Sequence, residues 1–433
     1  MAWFTRKKQD DGVAAVEAPV EEEPRLPEPP QLDASGLRSV ADHLAYLQSL
    51  VEPLRPFGMS LLEAWDQVMC EDIDSMINVP PNSTAKIAGY AVRAADLVDD
   101  EGHLAPPLEI VDLDVERLPV GGAATVAPGD VLPRGATAVL PATFGTVEDG
   151  RVRLIERVSD GEYVRAAGEH LRFGTRLLSE GDVLDDRGIG LLASAGIDKV
   201  MVRPRPRVVV VSSGEHLVEP GPSVQHGEVS DANSYMVAAA AKAAGATVFR
   251  VAVHSNEPDA IREAITDQLI RADLVISTTG GRREDYEAVV DVMSELGLVD
   301  SVNVAMSPGR TQTFGLIGED RVPMLMLPGN PVSAYVSFHA FARPLIRALM
   351  GVRAEHRPVR AIAAQGMRSH RGQLHLLRGR VTMEGSIRHV TQVTEAYALA
   401  ELAGANALIV LDEHSEVVNA GEAVKVWLLD EDE

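Results

Sequence analysis

Three short segments of the sequence combine glycine with hydroxyl or amide side chains, a combination that can surround an anionic group. Glycine lets backbone N–H groups close around negative charge, and the neighbouring side chains add further donors. The residues concerned are Ser212 and Gly214; Thr279, Gly280 and Gly281; and Pro328, Gly329, Asn330 and Ser333. We therefore expect these segments to bind an anionic ligand.

Each segment follows an apolar run that predicts a strand of a parallel β-sheet. The predicted strands are 208–211, 248–253, 274–277 and 324–327, and the predicted helices are 234–244, 258–269, 286–296 and 332–350. This alternation is typical of a parallel sheet with helices on both faces. Ligands bind outside the carboxyl ends of such strands, so the three segments are expected to meet there.

The remaining sequence predicts less regular parts. In chain order these are a tail or linker rich in Glu and Pro over 9–34, helices over 40–50 and 61–70, a β-rich stretch over 80–164, a returning stretch over 177–202 with a helix at 189–195, and a small all-β domain over 357–429. Such assignments follow from helical spacing and from short apolar runs between turn residues. The returning stretch is expected to pack against the first helices, which makes the β-rich stretch an insertion.

Composition excludes several classes of function. The 40 Lys and Arg against 64 Asp and Glu give a formal charge of -24, which disfavours nucleic-acid binding. The single cysteine, Cys70, excludes an intramolecular disulfide framework and a thiolate zinc cluster, and it fits a reducing compartment. The sequence contains no apolar run of membrane-spanning length and no signal peptide is expected, so the cytoplasm is the expected location.

The motifs resemble those of the MoeA family and of the E domain of gephyrin. The resemblance rests on residues 327–334, Thr279, Gly280, Gly281, Asp231, Asn233, Pro308, Gly309 and the segments 89–92 and 132–136. It covers about residues 38–430 and implies a multi-domain α/β fold. The implied parts are a disordered tail (1–35), a split dimerisation subdomain (36–78 and 166–204), an inserted β-rich subdomain (79–165), a MogA-like molybdopterin-binding-type α/β subdomain (205–350) and a C-terminal β-barrel-like subdomain (351–433).

The family's enzyme inserts molybdate into adenylylated molybdopterin with Mg²⁺, which requires acidic oxygens for the metal and cations for phosphate. Four side chains that the resemblance assigns to this chemistry are replaced. Ala88 stands for the aspartate of Ser-Ala-Met-Asp-Gly-Tyr-Ala, Pro128 for the threonine of Thr-Gly-Ala, His170 for the aspartate of Gly-Glu-Asp, and His216 for the glutamate of Ser-Thr-Gly-Asp-Glu-Leu. Asp273 and Asp285 remain as candidate catalytic acids.

Two further questions stay open at this point. The resemblance adds Pro308, Gly309 and Arg310 to the ligand-binding candidates. Arg310, with the arginines at 282–283, could bind phosphate through its guanidinium group, or these arginines could be solvated or paired with Glu284 and Asp285. The two replacing histidines could ligate a metal, but they lack a thiolate partner or a spacing motif, so we assign no metal site.

The replacements predict a gephyrin-like dimeric scaffold that has lost its molybdotransferase side chains and needs no cofactor. The resemblance to gephyrin-like actinobacterial proteins implies the C-terminal tail of the division protein FtsZ as the candidate partner, with a membrane receptor as another, and recruitment to the division site. The peptide groove is then expected between residues 300–350 and 355–429. The alternative is a working molybdopterin molybdenumtransferase that uses molybdopterin and Mg²⁺, and a third interpretation is a sensor that binds molybdopterin or nucleotide without turnover.

Overall fold

Short elements make up the N-terminal part of the fold, because glycine, proline and aspartate interrupt its apolar runs every few residues. A computed structural model describes residues 25–393 and 399–429, so most of the predicted tail lies outside the described residues. The elements are α1 (Val40–Ser49), β1 (Phe57–Ser60), β2 (Ile73–Asp74), β3 (Thr84–Ala85), β4 (Gly89–Val92), β5 (Leu108–Val111), β6 (Gly122–Val126), β7 (Ala138–Pro141), β8 (Gly145–Glu148), β9 (Arg151–Leu154), β10 (Val164–Arg165), β11 (Arg176–Leu178), α2 (Asp186–Ser194) and β12 (Lys199–Val202).

Helix α1 forms where its spacing predicts it. The Ser39 hydroxyl accepts a hydrogen bond from the Asp42 backbone N–H at 3.0 Å, which caps the helix. The hydroxyl of Tyr46 donates to the carbonyl of Pro27 at 3.0 Å, so the end of the predicted tail contacts this helix. Helix α1 therefore also holds the segment around Pro27 in place.

The helix predicted over 61–70 is wrong. Asp66 adopts a φ of 59°, in the left-handed region, and ends the helical turn that precedes it. Val68 and Met69 then form isolated bridges with the returning segment. Both side chains are buried, but in an extended segment that pairs with the returning chain and not on the face of a helix.

The β-rich stretch is an insertion between two halves of one subdomain. Strand β1 pairs with β12, and β2 pairs with β11, so the chain returns to its starting point after the insertion. Between these pairs lies a six-stranded sheet in the order β7-β4-β6-β5-β9-β8. The predicted inserted module is confirmed.

Residues 207–349 form the α/β part of the fold. Its elements are β13 (Arg207–Ser213), β14 (Leu217–Val218), β15 (Val229–Ser230), α3 (Ala232–Ala243), β16 (Thr247–Val253), α4 (Pro258–Leu269), β17 (Leu274–Thr279), α5 (Arg283–Leu296), β18 (Gly297–Asn303), β19 (Met306–Ser307), β20 (Thr311–Ile317), β21 (Val322–Met326), α6 (Pro331–Ser337) and α7 (Arg343–Leu349). A π-helical turn, Phe338–Ala342, joins α6 to α7. Helices α3, α6 and α7 cover one face of the sheet, and α4 and α5 cover the other.

The central sheet has the order β16-β13-β17-β21-β20-β18. The four strands that the sequence predicts are parallel, which confirms the prediction, and β20 pairs antiparallel with both β21 and β18. Strand β18 escaped prediction because Asp300, Ser301 and Asn303 make it polar. Tertiary contacts compensate, since Asp300 forms an ion pair of 2.5 Å with the buried Arg38.

The C-terminal part is a small β-barrel, in agreement with the prediction. Its elements are β22 (Val359–Ala363), β23 (Met367–Arg368), β24 (Leu374–Glu384), β25 (Ile387–Gln392), α8 (Leu399–Leu402), β26 (Ala407–Leu411), β27 (Val417–Val418) and β28 (Ala423–Leu428). Pairing between β24 and β26 closes a ring of five strands in the order β24-β25-β22-β28-β26. In the described parts of the chain, no helix has both the length and the apolar character needed to cross a membrane.

Candidate functional site

The three glycine-containing segments lie side by side at the carboxyl edge of the sheet. Strands β13 and β17 are neighbours, with Ser213 opposite Thr279, and β21 follows β17 on its other side. All three strands point the same way, so each segment leaves the sheet at the same edge. The topology thus brings together residues that are more than one hundred positions apart in the sequence.

Two of these segments touch through their backbones. A Cβ added to Gly329 would lie 2.4 Å from Cα of Gly281 and 2.5 Å from its nitrogen, far inside van der Waals contact. Gly281 itself has a φ of +91°, which side chains other than that of glycine rarely allow. Both glycines are therefore required by the geometry.

A cavity of about 570 Å³ opens beside this contact. Its wall combines apolar with polar surface, and the residues that line it include Thr279, Gly281, Arg282, Arg283, Tyr286, Glu287, Val290, Asp291, Ser301, Asn303, Thr311, Thr313 and Gly329. The Thr279 hydroxyl is buried, with the residue 1% exposed, and has no hydrogen-bond partner among the described residues. An unsatisfied hydroxyl at a cavity wall favours a polar ligand, because burying it unpaired costs free energy.

A chain of hydroxyl groups forms another wall of this cavity. The Tyr286 hydroxyl donates to Oγ1 of Thr313 at 2.9 Å, and Oγ of Ser301 lies 2.8 Å from the same oxygen. Burial raises the pKa of Tyr286, although its hydrogen bond to Thr313 acts in the opposite direction. Tyr286 therefore stays a neutral donor at physiological pH.

The arginines of the loop after Gly281 both line the cavity. Nε of Arg283 forms an ion pair of 2.7 Å with Glu287, one helical turn away. Arg283 therefore pairs with an acid, but that acid is Glu287 and not Glu284 or Asp285, which the sequence suggested. Since this pair is mostly exposed, it leaves the guanidinium group accessible to an anion.

Asp285 lies in the first turn of α5 and is buried between two of the glycine segments. One of its oxygens would lie 3.3 Å from a Cβ on Gly214 and 2.8 Å from one on Gly280. The other oxygen accepts a hydrogen bond of 2.7 Å from Nδ2 of Asn256. Asp285 therefore fills the space between the two loops.

Asp273 lies at the opposite edge of the sheet. It precedes β17 and forms a bidentate pair with Arg207, at 2.8 and 3.1 Å, at the amino ends of both strands. The structure therefore does not bring the two retained acids together.

The loop of Pro308, Gly309 and Arg310 packs on α6. A Cβ on Gly309 would lie 2.4 Å from the Ser337 hydroxyl oxygen. Within the described residues, these three do not line the cavity, whereas their neighbour Thr311 does. Asn330 and Ser333 form the cap of α6, in which the Ser333 N–H donates to Oδ1 of Asn330 at 3.1 Å.

Three of the four replaced positions belong to segments that meet at one corner of the inserted module. Lys86, two residues before Ala88, forms an ion pair of 3.1 Å with Glu169, beside His170. The backbone N–H of Gly129, after Pro128, donates to the carbonyl of Ala85 at 2.9 Å. We call the segments 85–89, 128–130 and 168–170 the module corner.

His216 lies elsewhere, in the turn between β13 and β14. Its carbonyl accepts a hydrogen bond from Val229 at 2.9 Å. Across residues 25–393 and 399–429, no three His, Cys, Asp or Glu side chains are grouped so that they could hold a metal ion. The geometry therefore assigns no ligand set to Mg²⁺, and we derive no step through it.

Sequence reasoning missed the hydroxyl chain and Asn256. Tyr286 lies in a predicted helix. Ser301 lies on β18 and Thr313 on β20, two strands whose polar residues kept them from being predicted. No sequence motif marks Asn256 as a functional residue. It lies between β16 and α4, and only tertiary packing brings it to Asp285. Contacts of this kind depend on tertiary structure.

The fold and the site define a class, namely multi-domain α/β proteins with a cavity at the carboxyl edge of a central sheet. Comparison with known families narrows this class. Residues 38–196 match the MoeA N-terminal region (domain I and II), residues 209–348 match a probable molybdopterin binding domain, and residues 360–429 match the MoeA C-terminal region (domain IV).

The chain belongs to the MoeA family. It is 36% identical over 422 residues to molybdopterin molybdenumtransferase 1 of Mycobacterium tuberculosis, covering 91% of this chain and 99% of the relative. It is 32% identical over 411 residues to molybdopterin molybdenumtransferase 2 of the same organism, covering 90% and 99%. The fold is similar to that of the molybdopterin biosynthesis MoeA protein from Pyrococcus horikoshii, with a TM-score of 0.77, 24% identity and coverage of 91% of this chain and 100% of the other.

Proposed function

We propose that the chain binds a molybdopterin-type ligand in the cavity beside Thr279 and acts as a molybdopterin molybdenumtransferase. The observation that favours this function is the unpaired, buried hydroxyl of Thr279 in a cavity that also presents two arginines. The family membership and the names of the M. tuberculosis relatives support the same reaction.

The cavity offers distinct groups for distinct parts of such a ligand. The guanidinium groups of Arg282 and Arg283 match a phosphate, because they present several N–H donors in a plane. The hydroxyls of Tyr286, Thr313 and Ser301 suit the polar edge of a heterocycle. Gly281 and Gly329 form part of the remaining wall, where their close contact leaves no room for a Cβ on Gly329.

The first test is binding of purified molybdopterin, measured by fluorescence titration, together with complementation of a strain that lacks its molybdenumtransferase. Arg282→Ala with Arg283→Ala should weaken binding by about tenfold or more, because each charge-assisted hydrogen bond contributes on the order of 1.5–3 kcal/mol. The matched control is Arg151→Ala with Arg153→Ala, which removes the same charge from exposed positions on β9. Equal loss in both double variants would contradict the role of the cavity arginines.

A second candidate function, a gephyrin-like scaffold that binds a peptide, is favoured by a separate cavity of about 410 Å³. It lies between α1, the π-helical turn and the barrel, and its walls include Val40, Leu44, Pro344, Leu374 and Trp427. Apolar anchors of an extended peptide suit such a space. The FtsZ tail remains the candidate occupant.

Two alanines of α1 provide a matched test of the scaffold proposal. Ala41 and Ala45 are both exposed, but only Ala41 is among the residues that line this cavity. Ala41→Lys should abolish capture of an FtsZ C-terminal peptide in a fluorescence polarisation assay, whereas Ala45→Lys should preserve it. A peptide that binds both variants equally, or neither the variants nor the wild type, would overturn the proposal.

We also propose that the chain forms a homodimer through the split subdomain. Several large apolar side chains are exposed there, including Leu62 at 81%, Trp65, Met76 and Phe173. Large exposed apolar side chains are the groups that an interface between proteins covers. Sedimentation velocity should show a dimer that Leu62→Glu dissociates, while Ile270→Glu, at a site 88% exposed on the α/β part, leaves it intact.

A further inference from the structure

Asn233 lies in the first turn of α3 but does not cap that helix. Asp231 does so, since its Oδ1 accepts from the Ser234 N–H at 3.0 Å and its Oδ2 accepts from the Ser234 hydroxyl at 2.5 Å. The side chain of Asn233 is therefore free for another function. The Asp-Xaa-Asn pattern is typical of the start of a helix, but here only Asp231 caps the helix and Asn233 does not.

The amide of Asn233 connects the two loops that form the cavity. Its Nδ2 donates to the carbonyl of Gly329 at 2.7 Å and to the carbonyl of Thr279 at 3.2 Å, and the residue is only 6% exposed. Both partners are acceptors, so the NH₂ group must face them. One side chain from a third element thereby bridges the other two.

The two loops have little else to fix their separation. The last backbone hydrogen bond that joins them in the described residues runs from Leu327 N to the carbonyl of Ser277 at 2.9 Å, at the end of the ladder. Beyond it, Gly281 and Gly329 meet only through van der Waals contact. A contact between two glycines limits how close the loops come but does not prevent them from separating.

Helix α3 is itself held firmly at this end. Nη1 of Arg250 lies 3.2 Å from the Ser234 hydroxyl, and its guanidinium group stacks on the Tyr235 ring, 4.1 Å from the centroid. Glu219 completes the cluster with an ion pair of 2.8 Å to Arg250. The start of α3 is thus a fixed point from which Asn233 can hold two loops.

We propose that Asn233 is a positioning residue that sets the separation of the 279–281 and 328–330 loops and thereby the width of the cavity. This inference rests on the proposed function for the identity of the ligand, a molybdopterin-type molecule, but not for the role of the amide. Asn233 touches the loop carbonyls and not the reacting atoms.

The test replaces the donor without changing its size. Asn233→Asp places a carboxylate oxygen against two carbonyl oxygens, which removes both hydrogen bonds and adds repulsion. Affinity for purified molybdopterin should fall by about tenfold to a hundredfold. The matched control is Asn406→Asp in the barrel, where Nδ2 of Asn406 donates to the Val381 carbonyl at 3.1 Å and Oδ1 accepts from the Val381 N–H at 2.7 Å.

A second readout separates this inference from the proposed function. In hydrogen–deuterium exchange, peptides that cover 276–284 and 325–334 should exchange faster in Asn233→Asp than in Asn406→Asp at the same distance below each melting temperature. If the wild type fails to bind molybdopterin, the proposed function is wrong and the exchange result alone decides the role of Asn233. If Asn233→Asp does not fold, Asn233→Ser, which is smaller and uncharged, takes its place. Unchanged exchange in both loops would overturn the inference.

Discussion

The sheet edge and the module corner are built in opposite ways. At the sheet edge, contact between the backbones of Gly281 and Gly329 and the bridging amide of Asn233 set the position of two loops that border the cavity. At the module corner, the family's chemistry depends on side chains, and the resemblance finds Ala88, Pro128 and His170 where carboxylate and hydroxyl groups are expected.

This difference shows that shape and chemistry can change independently. A contact between two glycine backbones is disturbed directly only by a new Cβ at one of them. A side-chain site loses its chemistry through a single codon change without any cost to the fold, particularly where, as at Ala88 and His170, the replacing residue is exposed. The proposal of ligand binding at the sheet edge and the expectation of turnover at the module corner can therefore be tested separately.

The largest effect is expected from restoring the side-chain chemistry. The quadruple variant Ala88→Asp, Pro128→Thr, His170→Asp and His216→Glu should raise molybdate-dependent cofactor formation by at least about a hundredfold, since one stabilising group often contributes that much. Molybdopterin affinity should change much less. A wild type that is already as active as its quadruple variant would show that the module corner does not need these groups.

The next effect concerns the backbone site. Gly329→Ala should abolish or strongly weaken molybdopterin binding, because the new Cβ would lie 2.4 Å from Cα of Gly281 and must push the loops apart. The control is Gly190→Ala in α2, where no atom lies within 4 Å of the added Cβ and alanine favours the helix. Equal affinity of the two variants for the ligand would contradict a backbone-defined cavity.

A moderate effect of pH is expected on the free energy of unfolding, and it should not distinguish the sheet edge from the module corner. Burial and Arg38 lower the pKa of His43 to about 4, and burial and Arg343 lower that of His356 to about 3. Between pH 6.5 and 5 the unfolded chain therefore binds protons that the folded chain does not, so the free energy of unfolding falls as pH falls. Each histidine contributes about 1.4 kcal/mol per pH unit at most.

Urea unfolding at several pH values measures this slope. His356→Phe keeps an aromatic ring stacked on Trp427, now 4.7 Å between centroids, but cannot titrate, so its slope should be smaller. Because neither histidine lies at the sheet edge or the module corner, ligand affinity should follow the folded fraction alone. An identical slope in the variant would exclude His356 as a source.

The smallest effect is expected at the module corner itself. The hydrogen bond from Lys86 is the main cause that lowers the pKa of Glu169. Lys86→Ala should raise that pKa in an NMR titration, although the backbone hydrogen bond from Ala166 still lowers it, and should leave the unfolding midpoint unchanged, because the pair is exposed. A clear loss of stability would mean that the corner is a structural element and not only a place where side chains meet.

The sequence predicted most of the α/β part because its strands and helices have strong periodicity and clear ends. Helix α4 was predicted at its observed bounds, Pro258–Leu269, since proline starts it and its apolar face repeats regularly. The helix predicted over 61–70 failed because Asp66 takes a left-handed conformation that its neighbours do not reveal. Strand β18 was missed because the buried Arg38, far away in sequence, stabilises its Asp300.

Sequence by itself determined the family, the alternation of strands and helices, and the glycines at the ends of three strands. These features are local, since they depend on hydrophobic spacing and on backbone conformations that only glycine adopts easily. Tertiary structure alone decided that Asp273 lies away from the cavity, that three of the replaced positions share one corner, and that Asn233 bridges two loops. Such relations depend on which distant side chains pack together, and the strand pattern that predicts the sheet edge does not specify those contacts.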